Sequence, residues 1–238
     1  MITLGLDPSL RAFGWAVHDS TAQGLARRIS SGHEGTTNTI VSVARFVHFR
    51  ELVNKLISKY KIDLVGIESP AYGAGPFQTI HFGLMMFALE VIFNNRKDCV
   101  LFDPSTLKSL VRGDPKKKGI VGKLEMQRFV QLDTLDTKIV NNNEADAYCV
   151  ALFANKFISV KNGILPLEKL TTLEYSTFIG KTKKIKTLSG VKIKRISHIF
   201  RENSRYFQFS NIPSGDVYLP NKSEINPKIL KHLEDTED

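Results

Sequence analysis

Ile2, Leu4 and Leu6 alternate with Thr3, Gly5 and Asp7, a period of two that predicts a strand with one apolar face and an acid at its carboxyl end. Phe13-Gly14-Trp15-Ala16-Val17 reads as a second strand, joined to the first by the short turn Pro8-Ser9-Leu10-Arg11, so the two make a hairpin. A third strand is expected over residues 25–30, then a polar loop over residues 32–39. The period then changes: Ile40, Val43, Val47, Val53 and Ile57 recur at near-helical intervals among charged residues, predicting an amphipathic crossover helix over residues 40–60.

The run Leu64-Val65-Gly66-Ile67 is continuously apolar, which suits a central strand of a parallel pair, and Glu68 stands at its end. After a loop holding Pro70, Gly73, Gly75 and Pro76, residues 80–93 are apolar almost all round, as in a helix buried on several sides. Residues 99–102 read as a short strand, Asp103-Pro104-Ser105 as a helix start, residues 107–112 as a short helix, 113–119 as a basic loop and 123–132 as a further helix. Asn143 opens a last helix through Ala145, Ala147, Val150, Ala151 and Ala154. This order predicts an α/β fold, a mixed five-stranded sheet flanked by helices.

Near residue 155 the helical period fades, and short β-like stretches at residues 190–197, 205–209 and 217–219 take over. Lys181, Lys183, Lys184, Lys186, Lys192, Lys194 and Arg195 crowd together there. The expected division is a domain over residues 1–155 and a small, basic, β-rich extension over 156–238, a possible DNA-binding module, ending in the acidic tail Glu234-Asp235-Thr236-Glu237-Asp238.

Hydrophobic residues at 42% and charged residues at 24% exclude a disordered or membrane-embedded chain. The net charge of +9 makes a polyanionic partner the expectation without identifying it. Cys99 and Cys149 lack the paired spacing of a zinc site or a disulfide framework and read as packed thiols. His18, His33, His48, His81, His198 and His232 are scattered, and none reads as a ligand. The chain opens on a strand pattern without a secretion signal, and no apolar stretch reaches the ~18 residues of a membrane span, so an intracellular chain without membrane association is expected.

Asp7, Glu68 and Asp146 all stand beside apolar runs, where an ionised acid loses hydration and persists only if a cation or hydrogen bonds replace the lost water. Taken singly each has an ordinary reading: a turn residue ahead of Pro8, a solvated strand end, a water-facing helix position. Two parallel strands ending side by side under a crossing helix would instead gather all three. Oxygen ligands with no His or Cys nearby in sequence suit Mg²⁺, with Mn²⁺ as a substitute, rather than Zn²⁺. Two such ions about 3.5–4 Å apart activate water on one side of a phosphodiester and stabilise the leaving oxygen on the other.

Gly5-Leu6-Asp7-Pro8-Ser9, Phe13-Gly14-Trp15-Ala16, Ile67-Glu68-Ser69-Pro70, Asp103-Pro104-Ser105-Thr106-Leu107-Lys108 and Glu144-Ala145-Asp146-Ala147 occur in an order and spacing that resembles the RuvC family of Holliday-junction resolvases. Each motif is weak alone; the ordered set is specific and spans about residues 1–154. The resemblance implies an RNase H-like fold, a homodimer, and Mg²⁺-dependent incision of paired strands at a branched, four-way DNA junction, with no small-molecule cofactor. The added extension is expected of a divergent, phage- or mobile-element-borne member. Asp7, Glu68 and Asp146 match three metal-binding acids of that family, whose fourth ligand, Asp or His, lies three residues before the last aspartate. Here that place is held by Asn143, an amide that brings no charge, and neighbouring Glu144 is the other candidate to complete the site. The resemblance further implies phosphate contacts at Lys108 and Lys123, with Arg112, Lys116, Lys117 and Lys118 on the segment between them. It also implies a stacking aromatic shortly after Glu68, where Ala71 holds the nearest place and Tyr72 or Phe77 could substitute.

Three other readings compete. A less selective flap or branched-DNA nuclease would use the same acids and the basic extension. A non-catalytic nucleic-acid-binding protein on a decayed nuclease fold is favoured only by Asn143. A nucleotide-dependent kinase or ATPase of the actin-like group needs a second glycine-rich phosphate loop after a later strand, which the sequence lacks.

Overall fold

The computed structural model describes residues 1–9, 12–35, 43–69, 78–113, 121–136, 141–178, 181–187 and 190–196. Strands β1 (Ile2–Asp7), β2 (Ala12–Asp19), β3 (Arg28–Gly35), β4 (Leu64–Glu68) and β5 (Asp98–Phe102) form one sheet in the order β3-β2-β1-β4-β5. The first three are antiparallel neighbours, while β4 and β5 run parallel to β1. Parallel neighbours need long crossovers, and helices α1 (Val43–Tyr60) and α2 (Gln78–Asn94) supply them.

Side-chain alternation sorts the sheet into two faces. Leu4, Leu6, Val17, Val65 and Ile67 pack with Phe49, Val53 and Ile57 of α1 and Leu84, Leu89 and Ile92 of α2. On the other face Ala16, Leu64, Val100 and Phe102 meet α3 (Pro104–Arg112), α4 (Lys123–Thr134) and α5 (Asn142–Lys161). Here α5 lies almost on the backbone. A Cβ built on Gly5 would stand 1.9 Å from the Ala147 carbonyl oxygen, and one on Gly14 2.2 Å from that of Asn143. The missing side chains on β1 and β2 thus set the depth of the helix, and the buried Thr3 hydroxyl donates to the Ala151 carbonyl at 3.0 Å.

Several elements differ from expectation. Residues 24–27 form a 3-10 turn, so the third strand starts at Arg28 and runs through residues expected as loop. In α1 the buried stripe is Arg45, Phe49, Val53, Leu56 and Ile57, whereas Val43 is 73% exposed; Ile40 lies outside the described residues. The short helix α3 begins at Pro104, because Asp103 caps it by accepting from the Thr106 backbone N–H at 2.9 Å.

The packed body also continues past the change in sequence character. Helix α5 runs unbroken through Asn155 to Lys161, and α6 (Thr172–Phe178) folds back so that Phe178 lies buried edge-on to Phe157, ring centroids 5.9 Å apart. Lys156 pairs with the buried Glu174 at 2.5 Å. Strands β6 (Lys181–Thr187) and β7 (Gly190–Ile196) form a separate antiparallel ribbon; the stretches expected at 205–209 and 217–219 lie outside the described residues. Among the described residues no helix is long and apolar enough to cross a membrane.

Candidate active site

The register Leu6↔Ile67 carries β1 and β4 to a common end, where Asp7 and Glu68 are the last residues of adjacent parallel strands. A tight turn follows Asp7, with the Ser9 N–H donating to the Asp7 carbonyl at 2.8 Å. Beyond Glu68, the Ser69 N–H bonds the Phe102 carbonyl at 2.7 Å, so both strand ends are fixed by backbone. Asp146 comes from the second turn of α5, whose start is capped by the Asn141 side chain accepting from the Asn143 N–H at 2.8 Å. One ligand oxygen from each of the three acids lies within 4.8 Å of the others.

Three half-buried carboxylates so close together repel one another. Burial, then the Asp146 charge, holds Asp7 well above the usual carboxylate range, with Lys123 opposing. Glu68 is raised in the same way, by burial and then by Asp7 and Asp146, with Lys108 opposing. Asp146 is pushed up to about 6 by burial, against the pull of Lys108 and Lys123. Hard, oxygen-only donors held together at an electrostatic penalty fit a Mg²⁺ or Mn²⁺ site, since a divalent cation removes that penalty.

The remaining sequence candidates separate. Lys108 on α3 and Lys123 opening α4 flank the acids closely enough for their charges to act on them. Arg112 lies one turn further along α3. Asn143 shares its helix face with Asp146, but its side-chain amide donates to the Ala12 carbonyl, pinning α5 to the start of β2. Glu144 turns away from the acids: its carboxylate accepts from the Ser31 hydroxyl and faces Arg28, which also pairs with Asp136. It therefore serves the contact between α5 and β3 rather than the acid cluster. Tyr72, Phe77, Lys116, Lys117 and Lys118 lie outside the described residues.

Sequence reasoning missed two residues, one beside the acids and one that anchors α5 to β3. Asp103 is a fourth acid near enough to raise Glu68, and it caps the helix that carries Lys108. Its signal lies in Asp103-Pro104-Ser105-Thr106, which reads as a helix start and as part of an ordered motif but assigns the acid itself no place among the ligands. Arg28 is the other; the residues it holds follow it by more than a hundred positions, so no local pattern marks it.

A family model described as crossover junction endodeoxyribonuclease RuvC matches residues 3–154. The curated RuvC crossover junction endodeoxyribonuclease of Rickettsia conorii is 29% identical over 154 residues, covering 63% of this chain and 94% of the relative. That of Rickettsia prowazekii is 27% identical over 162 residues, covering 66% and 100%. Among solved structures, Thermus thermophilus RuvC aligns with a TM-score of 0.54 at 18% identity, over 64% of this chain and 92% of that one. The same protein in complex with a Holliday junction substrate gives 0.52 at 15%, over 64% and 90%. These structures match in fold.

Proposed function

The chain belongs to the RuvC family of crossover junction endodeoxyribonucleases, and from that premise we propose that Asp7, Glu68 and Asp146 hold the divalent cations with which it resolves four-way DNA junctions by phosphodiester hydrolysis. The observation that carries this reading is the convergence of three acid oxygens within 4.8 Å at the ends of adjacent parallel strands. Mg²⁺ or Mn²⁺ at these carboxylates supplies Lewis-acid activation of the phosphodiester and of the attacking water, two ions serving the attacking and leaving sides.

The chain's own residues do the positioning. Asp7 and Glu68 sit on backbone that is hydrogen-bonded immediately beyond them, so the strand ends that carry them are fixed before substrate arrives. Asp146 is set by the depth of α5 over Gly5 and by the tie from Asn143 to Ala12. Lys108 and Lys123 place positive charge beside the acids, where a backbone phosphate has to approach. Asn143, engaged through its amide nitrogen, brings no charge, so the cation site rests on three carboxylates.

Paired incision of a twofold-symmetric junction requires two such centres, and one chain provides one among its described residues. A homodimer follows. Its support is an apolar surface on the helices opposite α5, where Phe82 is 50% exposed, Val43 protrudes, and Phe46 stacks on Phe87 at 5.2 Å.

The test compares incision of a four-way junction, a flap and linear duplex in Mg²⁺, Mn²⁺ and Ca²⁺, with mapped cut sites. Symmetric paired nicks at the four-way junction are expected; single nicks confined to flaps would replace this reading with that of a less selective branched-DNA nuclease. Asp7→Asn is expected to lower cleavage by at least about 10³-fold while leaving junction binding in place, because metal ligation is lost and DNA contacts are not. With less repulsion the metal-free variant should melt a few degrees higher than the parent, and Mg²⁺ should raise the melting temperature of the parent only. Cleavage by Asp7→Asn at the parental rate would refute the assignment.

A further inference from the structure

The family match ends at residue 154, and the ribbon β6–β7 lies beyond it. Its strands carry Lys181, Lys183, Lys184, Lys186, Lys192, Lys194 and Arg195, and residues 175–201 contain no Asp or Glu. Seven positive charges here, against +9 for the whole chain, leave only +2 for everything else. The positive balance of the molecule is thus largely a property of this one hairpin.

The register shows how the charge is distributed. Directly opposed residues of an antiparallel pair share a face, so Lys181, Lys183, Lys192 and Lys194 fall on one face and Lys184, Lys186 and Arg195 on the other. Lys183 stands directly opposite Lys194, a like-charge pair that weakens a ribbon already marginal in water as an isolated two-stranded sheet. A ribbon basic on one face suits a flat anionic surface; one basic on both faces suits a groove with phosphates on either side. A duplex major groove, about 12 Å wide, admits a two-stranded ribbon. Alternate strand residues repeat every ~6.8 Å, close to two nucleotide rises of ~3.4 Å along one DNA strand. The ribbon is also leashed to the nuclease body, because Lys181 follows the buried Phe178 by three residues, at most about 11 Å of chain.

We infer that β6–β7 is a second DNA-contacting element, a basic ribbon that holds the phosphates of a duplex arm at a distance from the cleaving acids. The inference rests on the reading of the chain as a junction nuclease, whose substrate supplies such arms. It makes the ribbon a determinant of affinity and salt dependence, without a part in the chemical step.

The full-length chain is compared with K183Q/K184Q/K192Q/K194Q, and with the same four positions changed to Arg. Binding to a four-way DNA junction, a linear DNA duplex and an RNA duplex is measured by fluorescence anisotropy across a salt series. At about 0.1 M salt the Gln variant is expected to bind both DNAs at least about 10-fold more weakly, with a log–log salt slope shallower by about 3; the Arg variant should restore both. Single-turnover cleavage at saturating protein should be unchanged, and an unchanged thermal melt shows that the body is intact. Equal affinity and slope for parent and Gln variant would overturn the inference, as would a loss confined to RNA. Failure of the parent to cut junctions would instead refute the function proposed above while leaving the binding comparison readable.

Discussion

Glu144 shows what a single residue's partners decide. Its carboxylate is committed to Ser31 and Arg28, both on β3, and Glu144 and Arg28 are each about 15% exposed. Removing it leaves Arg28 its partner Asp136 but deprives Ser31 of an acceptor, so Glu144→Ala is expected to cost about 1–2 kcal/mol, read by urea melts. Cleavage per folded molecule should stay within about 3-fold of the parent; a ligand's removal would cost orders of magnitude. A collapse of activity without a change in stability would return Glu144 to the metal site. At this scale Asp7, Glu68 and Asp146 were legible because each stands beside an apolar run and the ordered motifs tie the three together, although each alone has an ordinary reading. The roles of Asn143 and Glu144 were not, since their partners lie 131 and 113 positions away on strands whose placement no local period reports.

Between elements, the spacing of α5 and the sheet is what aligns the third acid with the other two. Gly5→Ala places a methyl group against the Ala147 carbonyl, so α5 has to move outward and carry Asp146 with it. The expected result is destabilisation of about 3 kcal/mol and a fall in cleavage of about 10²-fold, the consequence of a displacement near 1 Å. Gly83→Ala is the control: on α2 the added carbon meets nothing closer than the Phe46 ring at 3.6 Å, so a gain of up to about 1 kcal/mol from helix propensity is expected. Should Gly5→Ala cleave like the parent, the helix depth would not be what positions Asp146. The strands were readable because period two and continuous apolar runs are local signals. Helix α6 was not, because its seven residues are too short for a period and bury Glu174, Thr177 and Phe178 only through contacts with other helices.

At the scale of the whole molecule, the acid cluster and the buried His18, both among the described residues, pull stability in opposite directions as pH falls. The acids Asp7, Glu68 and Asp146 are raised in the folded state, so folding takes up protons there and the metal-free protein gains stability on acidification. His18 works against them. It is 2% exposed, both ring nitrogens lack a hydrogen-bond partner, its ring meets Tyr148 edge-on at 5.7 Å, and burial lowers its pKa from 6.5 to about 4. Above pH 6.5 the imidazole is neutral in both states and adds no slope. Between 6.5 and about 4 the unfolded chain binds a proton that the folded chain refuses, so His18 removes up to ~1.4 kcal/mol per pH unit, about 3 kcal/mol in all, and the loss levels off below that window. Because the acids contribute slope of the other sign, the diagnostic quantity is a difference: urea melts of the parent and of His18→Leu from pH 7.5 to 4.5, in EDTA. The variant's stability relative to the parent is expected to rise steadily below pH 6.5 and to be flat above it. A difference independent of pH would mean that His18 is protonated in the folded protein or reached by water.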